Sequence, residues 1–370
     1  VHVVQLSLVP APEGMAPEAL LAAWPSLADI AEAAASAGIR VSVIQAAARD
    51  ERIDRRGIAY RFLPLQGNEG MRRLAAEVAG LGADLVHVHG LDHARQAHAL
   101  AARLPWLPIL LQDHANRPPR WWRRARWRRW YGAASAVAFT ATALARPFVD
   151  AGLFAPGTRV FAIPESSSRF TPGDRARARE ATGLHGDPCV VWVGHLDANK
   201  DPLTMLDGVA LAARGLPGLQ LWCAYGKAPL LEDVRARLAG DPFLAARVHL
   251  LGPVPHERVQ VLLRAADLFV AASHSESCGY AALEAMACGV PPVLTDIAAF
   301  RALTGGGRVG RLWAPGDAAS LAAALIAAAA QEPARERVRA HFEDELSLHA
   351  LGRRWADAYA SLLPARRSAA

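Results

Sequence analysis

Short apolar runs alternate with stretches of helical periodicity along this chain, and the alternation runs through twice. In the first series the strand-like runs are residues 1–8, 41–45, 58–65, 84–89, 108–112, 134–140 and 160–163. Residues 26–38, 71–82 and 91–103 between them read as helices, and a Pro- and Ala-rich loop with Gly14 follows the first strand. The second series has strands at 189–194, 219–225, 248–252, 268–272 and 292–294. Its helices are 202–214, 229–238, 256–265, 280–288, 298–303, 320–330 and 336–345. Runs that are mostly apolar, rather than alternating, mark strands covered on both faces, and strand–helix alternation builds a parallel sheet. A chain of 370 residues also exceeds one ordinary core. The expected architecture is therefore α/β, with two Rossmann-like, doubly wound domains facing a cleft. Ser166–Ser168 and Pro172-Gly173 break the periodicity. They set an N-terminal domain at 1–168, a C-terminal domain at 169–346, and a final helix within 347–370. Leu351, Trp355, Tyr359 and Leu362 recur on one face of that helix, which is expected to cross back to the first domain.

A hydrophobic fraction of 52% excludes a disordered chain. No uncharged apolar run reaches the ~18 residues of a membrane span, and no signal peptide is read. Cys189, Cys223, Cys278 and Cys288 lack metal-ligand spacing and sit among apolar or small residues, which predicts reduced, buried thiols and a cytoplasmic protein. The formal charge of +6 is local: residues 117–131 hold seven arginines and no acid, so the remainder is close to −1.

The chemistry concentrates between Glu276 and Glu284. A strand runs through a loop into a helix that starts near Gly279, and in open α/β sheets ligands bind at such junctions. Amides at a helix start and the helix dipole favour a phosphate, and glycine permits close approach. Glu276 precedes that helix and Glu284 lies inside it, about a turn and a half in from Gly279, so the two carboxylates suit different parts of one ligand. Glu284 can accept from the vicinal hydroxyls of a sugar diol. Spacing alone is weak; the strand before it and the Ala-Met-Ala-Cys-Gly turn after it give it weight.

With that turn (Glu284–Gly289), the Glu–x7–Glu pattern resembles the nucleotide-sugar-dependent retaining glycosyltransferases of family four, which have the GT-B fold. Gly194-His-Leu-Asp-Ala-Asn-Lys200, Leu251-Gly-Pro-Val254, Ala266-Asp-Leu-Phe-Val270 and Trp313-Ala-Pro-Gly-Asp317 extend the resemblance over the second domain. It implies a hexosyltransferase-like enzyme of glycan biosynthesis, with a nucleotide sugar as co-substrate and no cofactor. Glu276 would contact donor-sugar hydroxyls and Glu284 the ribose. The amides of Cys278, Gly279 and Tyr280 would hold the diphosphate, with Ser277 in the same donor set, and Val254 would meet the base through its backbone. Lys200 would neutralise the departing diphosphate, as a fixed cation should. Gly194 and His195 belong to the same donor set, although the family usually has arginine at His195, and imidazole lacks its bidentate fork. In the first domain, His114 matches the histidine that contacts donor sugar and phosphate; His89 is a weaker candidate, and His87 reads as structural. No Asp-x-Asp motif ends a strand, so no metal is expected.

The segment at 117–131 interleaves arginine with tryptophan. Arg120, Trp121, Trp122, Arg123 and Arg124 are candidates for acceptor contact or for peripheral docking on an anionic membrane at its cytoplasmic face. The acceptor could be a glycan, a lipid-linked sugar or a small molecule. The tryptophans and arginines overlap on a helical wheel, so a packed structural helix remains the competing reading, and no nucleic-acid partner is expected. The alternative for the whole chain is a non-catalytic nucleotide-sugar or anionic-surface binding protein. A dinucleotide oxidoreductase is disfavoured, because no Gly-x-Gly-x-x-Gly follows the first strand.

Overall fold

The computed structural model describes residues 1–331 and 334–363. It divides into two compact units. The first comprises residues 1–166 with the segment from Leu348 onward, and the second is Ser167–Ser347. The C-terminal segment expected from the sequence extends to residue 370, and its last seven residues lie outside the described ones.

The first unit holds an eight-stranded sheet: β1 (His2–Ser7), β2 (Arg40–Ala46), β3 (Glu51–Arg55), β4 (Ile58–Leu63), β5 (Leu85–His89), β6 (Ile109–Gln112), β7 (Ala136–Phe139) and β8 (Arg159–Ala162). Their order is β3-β4-β2-β1-β5-β6-β7-β8. Seven strands are parallel; β3 pairs antiparallel with β4 at the edge, which corrects the all-parallel expectation. Glu51, Arg52, Asp54 and Arg55 hid this strand, because an edge strand does not need to be apolar. The loop expected after β1 contains a helix, Pro17–Ala23, with proline in its first turn and Leu20 and Leu21 buried. Helices Thr142–Asp150 and Arg175–Thr182 are likewise additions to the elements expected from the sequence. The helix Leu348–Leu362 packs on Pro25–Ser36 and buries Leu351, Trp355 and Tyr359.

The second unit holds a six-stranded parallel sheet: β9 (Cys189–Gly194), β10 (Gln220–Tyr225), β11 (Val248–Gly252), β12 (Leu268–Ala271), β13 (Pro292–Thr295) and β14 (Arg311–Trp313), in the order β11-β10-β9-β12-β13-β14. Apolar side chains from both faces of this sheet build separate cores. Phe269, Leu283 and Phe300 lie in one, and Trp192, Val270 and Leu325 in the other. The four cysteines are buried thiols, none of them in a disulfide.

Each sheet reverses its strand order once, between β1 and β5 in the first unit and between β9 and β12 in the second. At such a point the connections leave the sheet in opposite directions, and a crevice opens beyond the carboxyl ends of the strands. A pocket lies at each of these two places.

Candidate active site

The second unit's pocket, of about 380 Å³, is lined by Gly194, His195, Lys200, Val254, Glu276, Gly279, Tyr280 and Glu284, together with Phe300 and apolar residues of β9, β10 and β12. Eight of the ten donor residues named in the second domain thus surround one space. The other two do not line it: Ser277 is half-buried, and the Cys278 side chain lies in the core.

Two loops are stapled together at its mouth. Asn199 donates from Nδ2 to the Ser275 carbonyl (3.0 Å), and its Oδ1 accepts from the Ser275 amide (3.1 Å) and hydroxyl (2.8 Å). The His274 amide donates to the Asn199 carbonyl at 2.8 Å, and His274 Nε2 lies 3.0 Å from Asp201 Oδ2. Asp197 accepts from the Lys200 amide. This network sets Lys200 Nζ against Glu276 Oε1 in an ion pair that is mostly shielded from water. A cation and an acid sharing a dry site must each be satisfied by the other or by a ligand.

Gly279 caps the helix Tyr280–Ala287 at φ +82°, and a Cβ there would stand 2.5 Å from Phe300 Cε1. Glycine is required on both counts. Glu284, further along, is pushed up by burial, an effect opposed by its hydrogen bond to His256, whose Nε2 lies 2.5 Å from Oε1. The Lys227 amide donates to His195 Nδ1 at 3.2 Å, so that nitrogen carries a lone pair and not a proton. An arginine, which has donors only, could not accept in this way.

The first unit's pocket, of about 320 Å³, is lined by Ser7, Trp24, His89, Asp92, His93, His114 and Asn116 among others. Both ring nitrogens of His114 have neighbours: Nδ1 is 2.7 Å from Glu165 Oε2, and Nε2 is 3.3 Å from His89 Nδ1. His89 stacks on His87, whose Nδ1 meets the Tyr359 hydroxyl at 2.8 Å. Burial holds His87 down at about 3 and His89 well below the ordinary histidine value, and it pushes Asp113 up to about 6. Gly14, at φ +76° with open space where a Cβ would stand, lines neither pocket.

Residues 117–131 divide by role. Trp121 and Trp122 are 75% and 55% exposed, with Arg120 stacked over Trp122. Arg120 and Arg123 are exposed and Arg124 is half-buried. In the helix Arg124–Tyr131, by contrast, Trp127 and Trp130 pack on the core and Tyr131 is buried. Among the described residues no acidic, histidine or cysteine cluster could hold a metal, and no helix is long and apolar enough to cross a membrane.

Sequence reasoning missed Asn199, His256 and Glu165. The first two lie beside motif residues, so adjacency was a usable signal. Glu165 follows Pro164 in an irregular segment, and nothing in the sequence ties it to His114.

Comparison with known proteins bears on this geometry. Residues 187–331 match the family model described as glycosyl transferases group 1. A D-inositol 3-phosphate glycosyltransferase of Nocardia farcinica is 33% identical over 213 residues, 55% of this chain and 46% of that protein. The Mycobacterium bovis enzyme of the same description is 42% identical over 132 residues, 35% of this chain and 27% of its own. The chain thus spans less than half the length of these curated relatives. Among solved structures, Anabaena Alr3699/HepE in complex with UDP superposes with a TM-score of 0.71 at 20% identity, covering 98% of this chain and 100% of that one. A glycosyltransferase from Rickettsia africae gives 0.72 at 13% identity, covering 98% of each chain. At such identities the likeness is one of fold, and that fold is GT-B. Over residues 187–331 the second unit is thus similar to the group 1 glycosyltransferases, the family-four type of GT-B protein.

Proposed function

We propose that this chain is a retaining glycosyltransferase that moves a hexose from a nucleotide sugar to an acceptor hydroxyl. The observation that carries the reading is the convergence of Lys200, Glu276, Gly279 and Glu284 on one pocket at the β9/β12 reversal. The UDP bound in the Anabaena structure and the activity named for the Nocardia relative support the same class of ligand here. Glu284 takes the ribose, the helix start at Gly279 takes the diphosphate, Val254 meets the base, and Glu276 holds the sugar. The bond between the anomeric carbon and the phosphate oxygen breaks as the acceptor oxygen attacks from the same face. The leaving phosphate oxygen takes the acceptor's proton, and Lys200 stabilises the charge that grows on the diphosphate. The first unit's pocket beside His114 is the proposed acceptor side.

The test is a thermal-shift screen with UDP, GDP and ADP sugars, followed by turnover of the best donor. A bound donor raises the melting temperature. Lys200→Ala should keep the fold and lower turnover by roughly 10²–10³-fold. If no nucleotide sugar stabilises the chain and none is turned over, the proposal fails.

A peripheral contact with an anionic membrane, at the cytoplasmic face, is the second part of the proposal. Its support is the exposure of Trp121 and Trp122 among arginines, whereas Trp127 and Trp130 are packed. Vesicles with phosphatidylserine should co-sediment the chain, and Trp121→Ser with Arg123→Ser should release it. Equal sedimentation with neutral vesicles would rule the contact out.

A further inference from the structure

His256 begins the helix His256–Ala265, two residues beyond the pocket-lining Val254. Its side chain is 67% exposed, yet its Nε2 reaches 2.5 Å from Oε1 of Glu284, which is 15% exposed. The His256 ring lies 4.9 Å from that of Phe170, which supports it from behind. An outer residue is thus braced in place and aimed at the inner acid of the pocket. The backbone does not impose this contact, since the two residues lie on different helices, 28 positions apart.

A carboxylate on its own is a poor discriminator. It can rotate, and a buried one can take up a proton and turn from acceptor into donor. A donor fixed on one oxygen removes the first of these freedoms. Of about four lone-pair positions on the carboxylate, His256 uses one, and the others suffice for two vicinal hydroxyls.

We propose that His256 is the positioning residue for ribose recognition: by donating to Glu284 Oε1 it holds the carboxylate in one orientation, so that the pocket selects ribonucleotides over their 2′-deoxy counterparts. The proposal rests on the donor-site reading of Glu284 above. It predicts that His256 affects the choice of sugar in the nucleotide more than nucleotide binding itself.

The experiment is calorimetric titration of the full chain, first with UDP, GDP and ADP to find the base it accepts, then with the 2′-deoxy form of that diphosphate. A charge-assisted hydrogen bond to the 2′-hydroxyl corresponds to a ribo/deoxy preference of roughly tenfold or more. His256→Ala should reduce that preference to within about twofold while the ribonucleotide still binds. His256→Phe keeps an aromatic ring against Phe170 and cannot donate, so it should behave like the alanine variant. His256→Gln restores a donor and should recover most of the preference. If His256→Phe keeps the wild-type preference, the positioning role is overturned and the donor site stands. If none of the three diphosphates binds the unaltered chain, the donor-site reading falls, and this proposal with it.

Discussion

Asp113 follows β6 directly with only 6% of its surface exposed, and its Oδ1 accepts the Asn116 amide at 2.9 Å. Burial is the largest cause of its shift, from 3.8 to about 6. A carboxyl whose folded value is raised contributes stability below its unfolded value and loses it as pH rises through the folded one. The stability at stake is on the order of 3 kcal/mol across the window from about pH 4 to about pH 6. His87, held at about 3 by burial, works the other way. Its contribution is present above about 6.5 and is lost as pH falls toward 3. The two slopes oppose each other in the native chain. Asp113→Asn keeps the acceptor and removes the charge, so it should raise the melting temperature at pH 8 and leave it nearly unchanged at pH 4. A variant that tracks the native chain at both pH values would contradict this account. None of it was legible beforehand: the sequence marks Asp113 and His87 as strand-end and in-strand polar residues, but the water each has lost depends on neighbours far along the chain.

Elements show the same division. The helix starting at Gly279 was readable because a strand, a glycine and an apolar helix follow in order. Its tolerance was not, since Phe300, 2.5 Å from where a Cβ would stand, belongs to a later helix. Gly279→Ala should therefore cost about 1–3 kcal/mol in urea unfolding, from the left-handed backbone and the displaced ring, and should weaken nucleotide binding as well. Normal stability with normal UDP affinity would refute the close approach. The final helix carries a similar constraint. A Cβ on Gly352 would lie 2.1 Å from the Ala33 carbonyl oxygen, so two helices meet backbone to side there. Gly352→Ala forces them apart and should destabilise the first unit by several kcal/mol, as overpacking of a close contact does. Circular dichroism melts of the variant check this, and an unchanged melt is the contrary result. The apolar stripe of Leu351, Trp355 and Tyr359 announced an amphipathic helix, but the need for glycine comes from its partner, Pro25–Ser36.

At the scale of the whole molecule, each unit has its own sheet and its own apolar cores. Scanning calorimetry should resolve their responses to ligand: UDP at about 100 times its dissociation constant adds roughly 2.7 kcal/mol to the unit that binds it. The transition that moves should be the one Gly352→Ala leaves in place. If UDP and Gly352→Ala shift the same transition, the assignment of the nucleotide site to the second unit is wrong. The sequence by itself determined the two α/β series, the resemblance of the second to the group 1 glycosyltransferases, and the motif residues from Gly194 to Glu284 that gather around one pocket, because strand burial and motif spacing are local properties. Only the tertiary structure decided where each sheet reverses, that Lys200 faces Glu276 through the Asn199 staple, that Glu165 and His89 hold both nitrogens of His114, and that His256 reaches Glu284. These are pairings between elements tens of residues apart, set by strand order and side-chain packing, and no local pattern encodes them. The Glu–x7–Glu motif places two acids in one pocket, and the fold gives each of them a different cationic or donating partner.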